Sequence, residues 1–576
     1  MSDPPPEGRA AGLARLPWGA RAALLLLGAA TLLLPALGAA PLERAEVYFV
    51  DAARAMVERG DYLVPYYRGQ PFFDKPPLTY WLMAAAFGPL GFTTTAARVV
   101  PAAAALLALA ATVWLGRILL GREAALCGGL VLATTGAFMA FGRIAMSDML
   151  LTLWTTLSMT LFVKALESGR ARPWIPLTGA VLGLGFLTKG PVAVLMPALG
   201  MAAAWWPRRD RRLPLTAAGV LAAGAAFAVL GLGWFALLGL RLGPEPLRWF
   251  FLRENLARFA ADTYDSGRGP WYYVLTYLAE GLPWSLLLPI AAWWCWRHAI
   301  DARVLLVWAL AMAVPLSLSR GKIDYYLLPL YPPLSLVVGA HLARASWPRA
   351  ERAWARAAVA ACAVLLAVLP LLALRFPVEW LPARGLGWVV GALAPLGALA
   401  CGLAALRPRP AVVAATLGAV SAAVFLAAAV VLMPAFAAAQ PHDAVVSDVQ
   451  RERAYRPDAV VVICQDEARV QRDVLFHARV PVQEQCDLWA AATARHPFLL
   501  LLRPTERLAL RAVEGLREVA TYRYVPATAL TLRGLSAGLA PQELSLMANY
   551  TTTDPVAETK RKRDRKRALR LEASRP

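Results

Sequence analysis

The sequence predicts a mainly α-helical, polytopic membrane protein of about thirteen transmembrane helices, followed by a small α/β domain. Three observations predict it. Of 576 residues, 59% are hydrophobic and only 17% charged, and the mean hydropathy is +0.50. A soluble chain of this length would carry more charge and split into several domains. The apolar residues fall in long uninterrupted runs, and about 20 in a row are needed to cross the hydrocarbon core. After residue 436 the runs stop, and short apolar stretches alternate with helically spaced ones.

The candidate spans are 20–38, 97–118, 123–141, 147–165, 174–188, 191–206, 214–240, 272–296, 302–318, 324–343, 353–374, 386–406 and 411–434. The first is long enough to span and lacks a cleavage site, so it is expected to be a retained helix. Arginine orients the set. Arg9, Arg15 and Arg21 precede or open the first span; Arg117 and Arg122 follow the second; Arg208, Arg209, Arg211 and Arg212 follow the sixth. Arg344, Arg349, Arg352 and Arg356 follow the tenth, and Arg407 and Arg409 separate the last two. All fall on the N-terminal side of the membrane, which the positive-inside rule makes cytoplasmic. The long loops, 39–96 and 241–271, then lie outside, with the C-terminal domain. The net charge of +21 is thus accounted for at span ends and in the tail, which argues against a nucleic-acid partner.

Three regions follow from this pattern: a transmembrane domain over 1–436, an α/β domain over 437–545, and a basic tail over 546–576. In the second, 459–463, 497–502 and 522–525 read as strands, and 467–476 and 506–519 as helices. Cys127, Cys295, Cys362 and Cys401 lie in or beside apolar runs as small hydrophobes. Cys464 and Cys486 fall in the polar domain and could pair in an oxidising compartment; spacing alone leaves that open. The tail holds eight Lys or Arg within 560–570 and is expected to be disordered.

Chemistry concentrates in 43–81, ERAEVYFVDAARAMVERGDYLVPYYRGQPFFDKPPLTYW. Glu43 to Glu58 has the spacing of an amphipathic helix lying along the membrane surface. Gly60-Asp61 ends it, Gly69 marks a turn, and Pro76-Pro77 stop any further helix after Asp74-Lys75. Three later pieces share the outer face: Arg143-Ile144-Ala145-Met146-Ser147-Asp148, Leu187-Thr188-Lys189-Gly190-Pro191, and Lys322-Ile323-Asp324-Tyr325-Tyr326-Leu327-Leu328-Pro329. Ionisable groups at span ends are costly and often functional.

This order of motifs resembles the bacterial aminoarabinose (lipid A) transferases of the protein O-mannosyltransferase superfamily, over most of residues 40–335. The resemblance implies a C-type glycosyltransferase fold in the bacterial inner membrane. It implies a polyprenyl (undecaprenyl) phosphate sugar donor, and lipid A or another envelope molecule as acceptor. It implies Glu46 and Asp148 as catalytic carboxylates and Lys75 as the contact to the carrier phosphate. The sequence departs from the family where Ala45 precedes Glu46 and where Tyr48 replaces an arginine.

The physical logic stands beside the resemblance. Transfer to a hydroxyl needs a carboxylate to take its proton and cations to hold the leaving phosphate. The outer face supplies Glu46, Asp74 and Asp148, and Lys75, Arg143, Lys189 and Lys322, with Tyr325 and Tyr326 beside them. Each has a plainer reading: Glu46 as a solvated helix face, Asp74 as a turn residue, Lys75 as a snorkelling cation, Lys322 and Tyr325 as interface anchors. Glu254 and Arg258 are weaker candidates. None of the five histidines falls in the outer loops, so no His-rich zinc site is expected; a carboxylate-held divalent ion stays open. Protein O-glycosylation and a lipid or sugar transporter remain as alternatives, although no internal repeat of the transporter kind is evident.

Overall fold

The computed structural model of the chain describes residues 15–42, 44–67, 69–206, 215–257, 268–375, 389–438, 440–463, 482–484, 492, 496–502, 504–510, 513–524 and 542–550. Arg258, Cys464, Cys486, the 467–476 helix and the basic tail lie outside the described residues, as do Arg208, Arg209, Arg211 and Arg212. The chain divides into two compact units: 1–40 with 48–436, and 41–47 with 437–576.

The first unit is helical. Among the described residues, six helices are long and apolar enough to cross a membrane: Thr94–Leu119, Asp148–Ser168, Ala217–Leu242, Ile300–Leu318, Arg349–Leu371 and Pro410–Ala438. Shorter apolar helices cover Trp18–Leu33, Trp174–Lys189, Val192–Trp205 and Gly391–Leu406. The three remaining expected spans are broken helices. The run 123–141 divides into Arg122–Ala133 and Gly136–Phe141, where Thr134 and Thr135 turn their hydroxyls back to the carbonyls of Leu130 and Val131. The run 272–296 divides into Tyr272–Glu280, a 3-10 turn Trp284–Leu286 and Leu288–His298, interrupted at Gly281 and Pro283. The run 324–343 opens as a 3-10 helix, Asp324–Leu330, and continues as Tyr331–Leu342.

One expectation is corrected. The segment 39–96 is not all loop, because Leu78–Leu90 forms an apolar helix of 13 residues. At 1.5 Å per residue it rises about 20 Å, short of the roughly 30 Å core, which is why it does not register as a span.

Small residues let the helices close on each other without side chains between them. A Cβ added at Gly339 would fall on the backbone of Gly128, and one at Gly179 on the backbone of Ala223. The chain leaving the first span is gathered by two arginines. Arg143 donates to the carbonyls of Leu33, Pro35 (2.8 Å) and Ala36 (2.9 Å), and Arg98 to those of Leu37 (3.1 Å) and Ala40 (2.8 Å).

The amphipathic helix runs Arg44–Arg59, as its spacing predicts, with Val50, Ala52, Ala53 and Met56 fully buried. Gly60, at φ +67°, ends it. A short antiparallel hairpin follows, Tyr66–Tyr67 against Gln70–Pro71, with Gly69 at φ +80° in its turn.

Among its described residues the second unit holds a mixed sheet of five strands, in the order Val482–Glu484, Val460–Ile463, Phe498–Leu502, Gln542–Ala548, Arg517–Tyr524. The first two pairings are parallel and the last two antiparallel. Phe498–Leu502 is buried throughout, as a central strand covered on both faces should be. Helix His442–Tyr455 packs Val445 and Val449 against one face. The helix expected over 506–519 is confined to Pro504–Ala509: Gly515 takes φ +87°, and Arg517–Tyr524 is a strand with a bulge between Glu518 and Ala520. The boundary expected at 545 cuts the strand Gln542–Ala548.

Candidate active site

Two clusters form in the first unit. The first surrounds the Asp74-Lys75 turn. Lys75 Nζ lies 3.5 Å from Glu254 Oε2 and donates to the carbonyl of Asp74 at 2.8 Å. Trp249 Nε1 donates to Asp74 Oδ1 at 3.4 Å. Trp249 and Glu254 both belong to a π-helical segment, Trp249–Ala257, whose wide turns bring both side chains to the same loop. Pro76 and Pro77 end the turn, and the helix Leu78–Leu90 starts immediately after them. Its Tyr80 is fully buried beneath the turn, close enough to feel the charges of Asp74 and Glu254.

The second cluster joins three helix ends. Asp148, 4% exposed, is the first residue of Asp148–Ser168, and Lys189 is the last of Trp174–Lys189. The two form an ion pair. Lys189 Nζ also faces the rings of Tyr326 and Tyr325, 5.1 and 5.7 Å from their centroids. Asp324 holds this end of the 3-10 helix by accepting from the Tyr325 amide at 2.9 Å, and Phe141 packs edge-on against Tyr325. Trp154 Nε1 donates to Thr188 Oγ1 at 2.9 Å, which locks the two helices beside the pair.

The clusters adjoin at Gly190. Its φ of +74° turns the chain after Lys189, and a Cβ there would meet Phe250 Cζ at 2.6 Å. Only glycine lets the π-helical segment carrying Glu254 approach the Lys189 helix end. Beneath lies an aromatic core of Phe186, Trp234, Phe235 and Phe250.

The predicted residues therefore divide. Asp74 and Lys75 come together, as do Asp148, Lys189, Tyr325 and Tyr326. Lys322 is 4% exposed and folds back to donate to the Ser319 carbonyl, while Arg268 donates to the Lys322 carbonyl at 2.7 Å. Arg143 spends its guanidinium on backbone carbonyls, as described. Glu46, fully buried in the first turn of its helix, falls in the second unit. Glu254, weak in sequence because it sits in an aromatic run, becomes a direct partner of Lys75 here, and Trp249 carried no signal. Among the described residues, no group of three or more His, Cys, Asp or Glu is placed to hold a metal ion.

Known proteins resemble this chain in sequence and in fold. The family described as dolichyl-phosphate-mannose-protein mannosyltransferase matches residues 74–234, a stretch that opens on Asp74 and includes Lys75, Arg143, Asp148 and Lys189. The chain is 34% identical over 304 residues to an undecaprenyl phosphate-alpha-4-amino-4-deoxy-L-arabinose arabinosyl transferase of Pseudomonas aeruginosa, covering 51% of this chain and 54% of that protein. It is 32% identical over 300 residues to the protein of that name from Aeromonas salmonicida, with the same coverage. The chain thus spans about half the length of the curated relatives it matches. In fold it is similar to the crystal structure of ArnT from Cupriavidus metallidurans bound to undecaprenyl phosphate, with a TM-score of 0.73 and 21% identity over 92% of this chain and 98% of that one. The chain is an integral membrane protein, similar in fold over nine-tenths of its length to ArnT and in sequence over half of it to the arabinosyl transferases.

Proposed function

We propose that this chain is a membrane glycosyltransferase that moves a sugar from a polyprenyl (undecaprenyl) phosphate carrier to lipid A or another envelope acceptor. The observation that carries the reading is the Asp148–Lys189 pair lying beside the Lys75 turn, a carboxylate and two cations at adjoining helix ends. The names of the relatives support the donor.

The reaction is a single displacement. The bond from the anomeric carbon to the carrier phosphate breaks as one to the acceptor oxygen forms on the opposite face, inverting the configuration. The acceptor hydroxyl gives its proton to a carboxylate, and the phosphate leaves with the bonding electrons. Lys75 is the cation for that phosphate: at 3.5 Å its contact with Glu254 is loose enough for a phosphate oxygen to compete. Asp148 or Glu46 takes the proton. Lys189 pairs with Asp148, and Tyr325 and Tyr326 wall its ammonium. Arg143 and Lys322 serve as positioning residues that hold the loops around the site.

In this reading residues 1–436 carry the transfer chemistry in the inner membrane, and the N-terminus is cytoplasmic. The α/β domain of 437–545 is periplasmic and 546–576 is a basic tail. The test is transfer by purified protein from polyprenyl phosphate sugars to lipid A, with loss expected in Lys75→Ala. Transfer to an envelope protein instead would select O-glycosylation, and translocation of the carrier without bond cleavage would select a transporter.

A further inference from the structure

The end of the Arg44–Arg59 helix and the end of a span form an open cleft of about 540 Å³, lined by Arg59, Gly60, Asp61, Tyr66 and Arg241. Its frame is fixed. Asp61 Oδ1 accepts from the amides of Leu63 (3.1 Å) and Val64 (3.2 Å), Trp81 Nε1 donates to the Tyr62 carbonyl and Trp234 Nε1 to the Leu63 carbonyl, both at 2.8 Å.

The cleft is cationic. Arg241 pairs with Asp61 at 3.0 Å, so one of its two guanidinium charges is compensated. Arg59 lies over the Tyr66 ring at 4.2 Å, and among the described residues no carboxylate pairs with it. Its neighbour Glu58 is engaged by Arg54 at 3.1 Å. The cleft is also at lipid level. Arg241 stands in the last turn of Ala217–Leu242, a helix only 17% buried, and Leu240 beside it is 85% exposed. An arginine that ends a lipid-facing helix reaches the depth of the phosphate groups of the bilayer.

We propose that this cleft is a binding site for the anionic phosphate headgroup of a membrane phospholipid, held by Arg59 and Arg241 with the acyl chains along Leu237 and Leu240. Asp61 limits its affinity by occupying Arg241. None of its lining residues belongs to either cluster, and its test does not depend on transfer activity.

The full chain, purified in nanodiscs of equimolar phosphatidylglycerol and phosphatidylcholine, is analysed for retained lipid by native mass spectrometry. Phosphatidylglycerol is expected to be retained several-fold over phosphatidylcholine. Arg59→Gln should lower that preference several-fold and Arg59→Lys should largely restore it. Asp61→Asn, which keeps the oxygen that caps Leu63 and Val64, should raise it, an outcome that misfolding does not produce. Equal retention of the two lipids, or no change in Arg59→Gln, overturns the proposal. Displacement of the retained lipid by millimolar inorganic phosphate as readily as by a short-chain phosphatidylglycerol assigns the site to a soluble phosphate and overturns the lipid reading.

Discussion

Asp148 and Lys189 are paired across two helix ends of opposite polarity: the carboxylate opens one helix and the ammonium closes another. Each charge is favoured by its own helix dipole before the two meet. The pair lies in a nearly dry place, where breaking it costs far more than making it gained.

Asp148→Asn should cut transfer by roughly 10²–10⁴-fold if Asp148 is the base, with insertion and fold retained. Glu46→Gln tested alongside separates the two carboxylates, since the true base shows the larger loss in kcat. Initial rates with purified variants decide it, and near-parental rates in both would remove the base from this site.

Lys75→Ala should lower donor use by roughly 10²–10³-fold, the effect of removing one stabiliser of developing charge. Glu254→Gln should act in the opposite direction on donor affinity, because a carboxylate beside Lys75 competes with the phosphate. Donor KM in the two variants reads this; a rise in both would mean that Glu254 orders the site instead.

Asp61 predicts a pH dependence. Burial pushes its carboxyl up, but the hydrogen bond from Arg241, the Val64 and Leu63 amides and the Arg241 charge outweigh it, leaving it below the ordinary 3.8. A group depressed in the folded state adds stability that is complete above its unfolded value and lost as pH falls through the folded one. Proteolysis within 60–67 should therefore accelerate below about pH 4 in the parent, and not further in Asp61→Asn.

Gly339→Leu should destabilise the membrane unit by more than the roughly 1–3 kcal/mol of ordinary overpacking, because its neighbour is the Gly128 backbone and cannot swing aside. Thermal unfolding in detergent measures it. Gly391→Leu, open on all sides, is the control and should be nearly silent.

Much of this architecture was legible. Runs of apolar residues gave each span a counterpart, and the breaks fall where Thr134-Thr135, Gly281 and Pro283 compete with the helix. The helix Leu78–Leu90 escaped because length, not composition, identifies a span. The segment 506–519 misled because charged residues at helical spacing do not reveal that Gly515 adopts a left-handed turn. Within the site, Asp74-Lys75 is local in sequence and was read directly. Glu254 meets Lys75 only because a π-helical segment folds across the turn, and no local pattern encodes that pairing. Arg143 looked like a cation awaiting a ligand; its partners are carbonyls more than a hundred residues earlier, a contact fixed by tertiary packing.

Among the described residues, one of the two end strands of the C-terminal sheet, Arg517–Tyr524, carries Arg517, Glu518 and Arg523 and bulges after Glu518. Charge and a local kink are the two means by which a free sheet edge is made a poor template for another chain. That edge thus carries its own safeguard against aggregation, and detergent-extracted protein should not self-associate by adding strands along it.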